Sequence, residues 1–541
     1  MQPPARGSFR NGALYLALAT AGGLQAFALA WPFAGESFGQ PIAALQLLSL
    51  ALLAAVLDRS NSANQAFRQA WVYASAWLLG TFWWLYISMH TYGEMHAAIA
   101  ATAVILLATA LALYYALAGL VFKRWCHQGV SVSMRALSFS ALWMMAELLR
   151  ASVFTGFPWG AIGYAHIESP LRHWFPWVGV YGVGAIAAFF CMLVVAKPSR
   201  HTENARRIKV WPTRLMLISV LAYTWWTAPT QKTPSPQETS RQTLTVALVQ
   251  GNVAQDLKFG AAIPAAISDY RRQLLANKAD FIALPETALP VLPENLPEHY
   301  WSELQQHFVN KQQLGLIGMP LPAQGQNPKG QLTNSVIALM PSPKTQNYRY
   351  DKHHLVPFGE FVPPLFQWFV DLMRIPLGSF ERGDLGQPVL NFKGERIAPN
   401  ICYEDLFGEE LAKSFSDPTQ SPTLMINLSN IAWFGDTVAI DQHLHISRAR
   451  AMEFARPMLR ATNTGATAII NAQGVVTHRL PSAVQGVLMG EIRGVHAEPT
   501  PYTKWVAKAG LAPLWLLGLT SILVVAGLAY RGRHGRRHFG P

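Results

Sequence analysis

Arg396-Ile397-Ala398-Pro399-Asn400-Ile401-Cys402-Tyr403-Glu404 reads as a buried strand that stops on a cysteine, with the thiol placed to project from the end of a sheet. The surrounding block repeats the design. Leu244–Gln250, Phe281–Leu284, Leu314–Met319, Ser335–Met340 and Thr423–Leu428 are further apolar runs of strand length. Between them, Ala265–Ala276, Trp301–Lys311, Glu409–Phe415 and Gln442–Glu453 carry helical patterning. Such alternation predicts a layered α/β domain with mixed or parallel sheets. A linker rich in Pro, Gln, Thr and Ser, from Pro229 to Gln242, leads into it.

The rest of the chain has a different solvent. Of 541 residues, 51% are hydrophobic and 13% charged, with a mean hydropathy of +0.17. A soluble protein carries about 25% charged residues. Apolar runs near 12–33, 40–57, 70–89, 97–122, 136–153, 175–196, 210–228 and 510–530 approach or exceed the ~18 residues that a spanning helix needs. These predict eight transmembrane helices. The expected organisation is a membrane domain of seven helices over 1–228, a catalytic domain over 229–505, and an eighth helix with a basic tail over 506–541.

Charge follows the same division. Residues 229–505 hold 23 basic and 24 acidic side chains, whereas the remainder holds 20 basic and 6 acidic ones. The net charge of +13 therefore belongs to membrane loops rather than to a phosphate-binding face, and nucleic-acid binding is not expected. Arg6 and Arg10, Arg59 and Arg68, Lys123, Arg124 and Arg135, the run from Lys197 to Arg214, and the tail from Arg531 to Arg537 alternate with loops holding Glu36, Glu94, Glu168 and a single Arg172. Positive-inside reasoning puts both termini in the cytoplasm and 229–505 on the outer side. The first segment, ending in Ala28-Leu29-Ala30, also has the form of a signal peptide. Its long apolar run, continuing into Trp31-Pro32-Phe33, favours an uncleaved anchor.

Cys402 is the sole cysteine of the outer block, since Cys126 falls in a cytoplasmic loop and Cys191 in a span. A lone thiol in an oxidising compartment is either buried packing or chemistry. Two other segments supply what a reactive thiol needs. Glu286 ends the run Phe281-Ile282-Ala283-Leu284-Pro285, where burial is expected to raise its pKa and fit it to accept the thiol proton. Lys352 precedes the segment from His353 to Glu360, which is too apolar for an ordinary charged loop, and could hold an oxyanion with the backbone N–H of Tyr403. His353 and His354 have no third ligand at suitable spacing, so no metal is expected, nor any other cofactor.

Taken in order, these segments resemble the nitrilase (carbon–nitrogen hydrolase) superfamily, whose domain is an αββα sandwich. Closer still is the apolipoprotein N-acyltransferase family, which sets such a domain among eight spans. The resemblance runs through Val249-Gln250-Gly251-Asn252, Gln255-Asp256-Leu257-Lys258, Pro285-Glu286-Thr287-Ala288 and Tyr350-Asp351-Lys352. It continues through His354 to Glu360, Ile401-Cys402-Tyr403-Glu404, Ala432-Trp433-Phe434-Gly435-Asp436, Arg456-Pro457 and Arg460-Ala461-Thr462-Asn463. In the membrane part it includes Tyr86 to His90 and Phe154 to Trp159. Ile431, where the family usually has an acid, and Leu284, where it commonly has Trp, are departures.

The resemblance implies Glu286 as general base, Lys352 as oxyanion stabiliser and Cys402 as nucleophile, with Glu360 orienting Lys352 and Glu404 supporting the thiol loop. It implies a ping-pong transfer of a fatty acyl chain from a phospholipid to the α-amine of a diacylglyceryl-cysteine apolipoprotein, through a Cys402 thioester. The setting would be a bacterial inner membrane, with the catalytic domain periplasmic and the enzyme a monomer. Leu365 to Ile375, with Trp368 and Phe369, forms an apolar stretch that suits either ordinary core packing or a mobile lid dipping into the outer leaflet; Trp433, Phe434 and His90 are further lipid-facing candidates. Serine at 368 and 369 is then expected to weaken acylation and spare folding. Glu147 and Arg150, three apart in the fifth span, are expected to be a structural pair. A tethered amidase or nitrilase using the same three residues, and a transporter or scaffold carrying an inactive domain, are the rival readings.

Overall fold

The computed structural model describes residues 6–197, 239, 242–258, 260–324, 331–342, 348–363, 366–368 and 380–534. The expected seventh span (210–228), nearly all of the linker, Phe369 with most of 365–375, and the tail from 535 lie outside the described residues. The chain forms two compact units: residues 84–100 with 232–510, and the remainder.

The first unit is helical. Its helices include Arg6–Phe27, Ala43–Arg59, Ala63–Phe82, Val132–Ser152, Phe175–Val195 and Ala512–His534. Four helical stretches of the described chain are long and apolar enough to cross a membrane: Ala97–Cys126, Val132–Thr155, Pro170–Val195 and Ala512–Gly532. The earlier helices fall short for local reasons. Ala43–Arg59 has only 17 residues, and Ala63–Phe82 opens on Asn64, Gln65, Arg68 and Gln69. Arg135, His127 and the backbone N–H of Lys197 converge on Asp58, so these helix ends and loops meet on one side of the unit. Glu147 and Arg150 both tie down the loop after their helix. Glu147 accepts the Ile162 N–H, and Arg150 donates to the carbonyls of Phe157 and Trp159.

The second unit has two six-stranded sheets. In the first, the order is β12 (Gly486–Ile492), β1 (Leu244–Gln250), β2 (Phe281–Ala283), β3 (Leu314–Pro322), β4 (Leu332–Leu339) and β5 (Arg349–Asp351). In the second it is β11 (Val476–Arg479), β10 (Ala468–Ile470), β9 (Met458–Thr462), β8 (Leu424–Ser429), β7 (Glu395–Ile401) and β6 (Leu390–Phe392). β1, β2 and β3 run parallel, as do β7, β8 and β9, with antiparallel strands on either side. One apolar core, including Leu248, Phe281, Leu316, Ile401, Ile426 and Leu459, fills the space between the sheets. A second packs the outer face of the first sheet against helices Ile263–Ala276 and Tyr300–Lys311. Helix Ala439–Phe454, buried along its whole length, accompanies the second sheet. Strands covered on both faces lose the alternation that marks half-buried ones, which is why β1 and β8 read as continuous apolar runs.

Residues 84–100 cluster with this α/β unit and not with the helices that flank them in sequence. Trp84 packs on Phe434 with ring centroids 4.3 Å apart and donates its indole N–H to Gln442 at 3.2 Å. Tyr92 meets Trp433 edge-on at 5.9 Å. Met95 and Ala100 form a small core with Phe358 and Val362.

Candidate active site

The parallel strands of both sheets end on the same side, and the candidate residues stand just past those ends. Glu286 follows β2, Lys352 follows β5, and Cys402 follows β7. Strand ends there leave ordinary backbone geometry: Asn252, Thr287 and Cys402 have φ of 48°, 44° and 52°. Non-glycine residues rarely adopt such angles, and strain of this kind concentrates at functional sites. At Gly318 of β3, a Cβ would stand 2.8 Å from the Glu286 Cα and 2.5 Å from the Pro285 carbonyl oxygen. Only glycine lets the Glu286 turn lie so close to the sheet.

Lys352 is buried between two carboxylates. Its Nζ donates to Glu286 Oε1 and to Glu360 Oε1, each at 3.0 Å. The Asn334 amide, from β4, donates to the same two oxygens at 2.7 Å. Glu360 uses its other oxygen to accept the Val356 N–H at 2.8 Å. Glu286 Oε2 accepts the backbone N–H of Asn430, past β8, at 2.8 Å. The carboxylate of one sheet is thus fixed by the loop of the other.

A second lysine completes the arrangement. Lys258, 4% exposed, donates to the Glu286 carbonyl at 3.0 Å. Lys258 belongs to the motif Gln255-Asp256-Leu257-Lys258, and only this contact gives it a role. Lys258 closes the short helix Gln255–Lys258 that follows β1, the strand paired with β2, and that placement is the signal that could have marked it.

These charges reverse one expectation. Burial alone would raise the pKa of Glu286, but Lys352, Lys258 and the hydrogen bonds from Lys352 and Asn334 outweigh it, and the net shift is downward. Lys352 goes the other way. Burial disfavours its charge, but Glu286 and Glu360 hold it ionised well above the usual lysine range. Burial lowers Lys258 to about 8, despite opposing pulls from Glu286 and Cys402. The Cys402 thiol, half-buried, is pushed up to about 12 by burial and by the Glu286 charge, against Lys352, the Ser429 hydroxyl and the Asn430 N–H. At neutral pH the resting centre is a carboxylate, two ammonium groups and a neutral thiol.

Glu404 braces the cysteine turn. Its carboxylate accepts the N–H groups of Ile401 at 2.7 Å, His353 at 2.7 Å and His354 at 3.2 Å, and the Tyr350 hydroxyl at about 3 Å. It therefore joins the Cys402 turn to the Lys352 loop. The Tyr403 ring is buried beside His354 and Phe407. His354 stacks on Phe407 at 3.5 Å and meets Glu410, while His353 donates to the Gly383 carbonyl.

The lipid-facing candidates separate. Trp433 and Phe434 are half-buried against Tyr92 and Trp84, and His90 is half-buried with its Nδ1 donating to the Met95 carbonyl. Trp368 is 65% exposed and Phe366 44%. Ile431 is buried.

Comparison with known proteins bears on both units. The apolipoprotein N-acyltransferase N-terminal domain family model matches residues 21–193, and the carbon–nitrogen hydrolase family model matches residues 245–502. An apolipoprotein N-acyltransferase of Verminephrobacter eiseniae is 48% identical over 91% of this chain and 92% of its own. One from Ralstonia nicotianae is 41% identical over 94% of this chain and 96% of its own. Among solved structures, Saccharomyces cerevisiae Nit3, of the nitrilase superfamily, is 17% identical with a TM-score of 0.35, over 46% of this chain and 90% of that one.

Proposed function

The chain belongs to the apolipoprotein N-acyltransferase family, and we propose that it moves a fatty acyl chain from a phospholipid to the N-terminal α-amine of a diacylated lipoprotein. The observation that carries this reading is Lys352 held between Glu286 and Glu360, within electrostatic reach of the Cys402 thiol.

In the first half-reaction Glu286 takes the thiol proton as sulfur attacks the ester carbonyl. Because the thiol is held neutral until then, proton transfer and attack proceed together. The oxyanion is met by the Lys352 ammonium and the Tyr403 N–H, donors that need no reorganisation. Collapse breaks the ester C–O bond. The departing lysophospholipid oxygen recovers the proton from Glu286, leaving a Cys402 thioester. In the second half-reaction the acceptor amine attacks the thioester, Glu286 takes a proton from nitrogen, and the departing sulfur recovers it. Splitting the transfer through a covalent acyl-enzyme replaces one hard step by two easier ones.

Eight spans, with 229–505 facing the periplasm from the inner membrane, fit this reading because both substrates are anchored in lipid. Trp368, exposed, is suited to meet the leaflet. Purified protein incubated with phospholipid and a diacylated lipopeptide should yield the triacylated lipopeptide. Hydrolysis of small amides with no triacylated product would favour the amidase reading.

A further inference from the structure

Beneath the cysteine turn lies a charged cluster that the reaction steps above do not use. Asp405, His443, Ser447 and Arg460 are all fully buried, from the Cys402 turn, helix Ala439–Phe454 and β9. Asp405 Oδ1 accepts from His443 Nε2 at 3.0 Å, while its Oδ2 meets Arg460 Nη1 at 3.1 Å and the Ser447 hydroxyl. Arg460 also bonds the Ser447 hydroxyl and reaches His443 Nδ1 at 3.0 Å. Arginine can only donate, so Nδ1 is the acceptor there and the ring proton sits on Nε2. That N–H faces the Cys402 carbonyl at 3.2 Å as well as Asp405.

The Cys402 carbonyl has a second donor. Asn427 of β8 reaches it at 3.1 Å, with its amide also tied to Asn400 Oδ1 at 2.6 Å. The C=O of Cys402 and the N–H of Tyr403 belong to one planar trans peptide and point in opposite directions. Two donors holding the carbonyl from one side therefore set the direction of the N–H on the other. The Cys402 φ of 52° makes such a hold necessary, since a non-glycine residue there relaxes unless its surroundings over-determine it.

We propose that His443, with its tautomer fixed by Arg460 and its ring fixed by Asp405, is a positioning residue: with Asn427 it pins the Cys402–Tyr403 peptide plane and so aims the Tyr403 N–H at the developing oxyanion. The inference rests on the acyl-thioester reading, and its test separates the two.

The probe is p-nitrophenyl butyrate, a small activated ester whose attack by Cys402 builds an oxyanion without phospholipid recognition. The full-length protein in detergent should release a burst of nitrophenolate, and His443→Leu should slow that burst about tenfold or more, the scale on which a misplaced catalytic group loses rate. His443→Gln, which returns an N–H near Nε2, should recover most of it. Alkylation of Cys402 by iodoacetamide proceeds by displacement and forms no oxyanion, so its rate should change less than about twofold in either variant. If His443→Leu fails to fold, Asn427→Ala removes the other donor, leaves the Asp405 cluster intact, and carries the same expectation. Equal bursts in wild type and variant, equal losses of burst and alkylation, or no burst in the wild type would each overturn the inference. A wild-type burst with no adduct from phospholipid would instead overturn the acyl-donor reading alone.

Discussion

Glu286 and Glu404 are both buried carboxylates, each just beyond or within the turn that ends a parallel strand, yet their surroundings drive them in opposite directions. Glu286 has two ammonium groups beside it and is held below the usual carboxylate range. Glu404 is raised to about 7 by burial, which the N–H groups of Ile401, His353 and His354 and the Lys352 charge only partly offset. Burial is common to both, so the neighbours decide. Formal charges next to Glu286 make it an anion ready to take a proton. The mostly neutral donors round Glu404 make it a brace that costs little to protonate.

The largest break in that contrast comes from neutralising Glu286. Glu286→Gln keeps the shape and the acceptor oxygen but cannot take a proton, and should lower thioester formation by about 10²–10⁴-fold, the usual worth of a positioned base. Rapid-quench measurement of the first half-reaction checks this; a loss under tenfold would remove Glu286 from the role of base. Glu404→Gln should be milder. It leaves one backbone N–H without an acceptor, at about 1–3 kcal/mol of stability, and loosens the turn. Thermal unfolding should fall by several degrees while the rate drops about tenfold at most. A loss as large as that of Glu286→Gln would erase the distinction between base and brace.

The smallest expected effect is the most diagnostic of electrostatics. Lys258 is one of two cations that depress the Glu286 pKa. Lys258→Met removes it, so the Glu286 pKa rises. Because the base must be ionised, the acid limb of the rate profile should move to higher pH. Activity near the optimum should change by only a few fold, since one charge at this distance is worth a modest pKa change. An unmoved acid limb, or one moved to lower pH, would contradict the account of Glu286.

Much of this fold is legible in the residues themselves. The runs Leu244–Gln250, Phe281–Leu284 and Arg396–Ile401 are apolar because both sheet faces are covered, and they are β1, β2 and β7 within a residue or so at either end. β9 escapes notice because Arg460 interrupts Met458–Thr462; its charge is spent on Asp405 and His443, 55 and 17 residues away. Residues 84–100 are hidden for a different reason. They sit between apolar helices, and only tertiary packing through Trp84 and Tyr92 assigns them to the α/β unit. The three candidate residues were visible one at a time as strand-end chemistry. The sense of the Glu286 shift was not, because its sources lie 66 and 28 residues away in sequence. Asn334 and Asn430 share that invisibility, since nothing local marks them as partners of Glu286.

Intact-protein mass spectrometry after mixing the purified chain with phospholipid alone tests the central claim most directly. A mass increase of one long-chain acyl group, mapping to Cys402, discharged by a diacylated lipopeptide and absent from Cys402→Ala, is the predicted result. An unmodified protein, or an adduct that persists in Cys402→Ala, would contradict it.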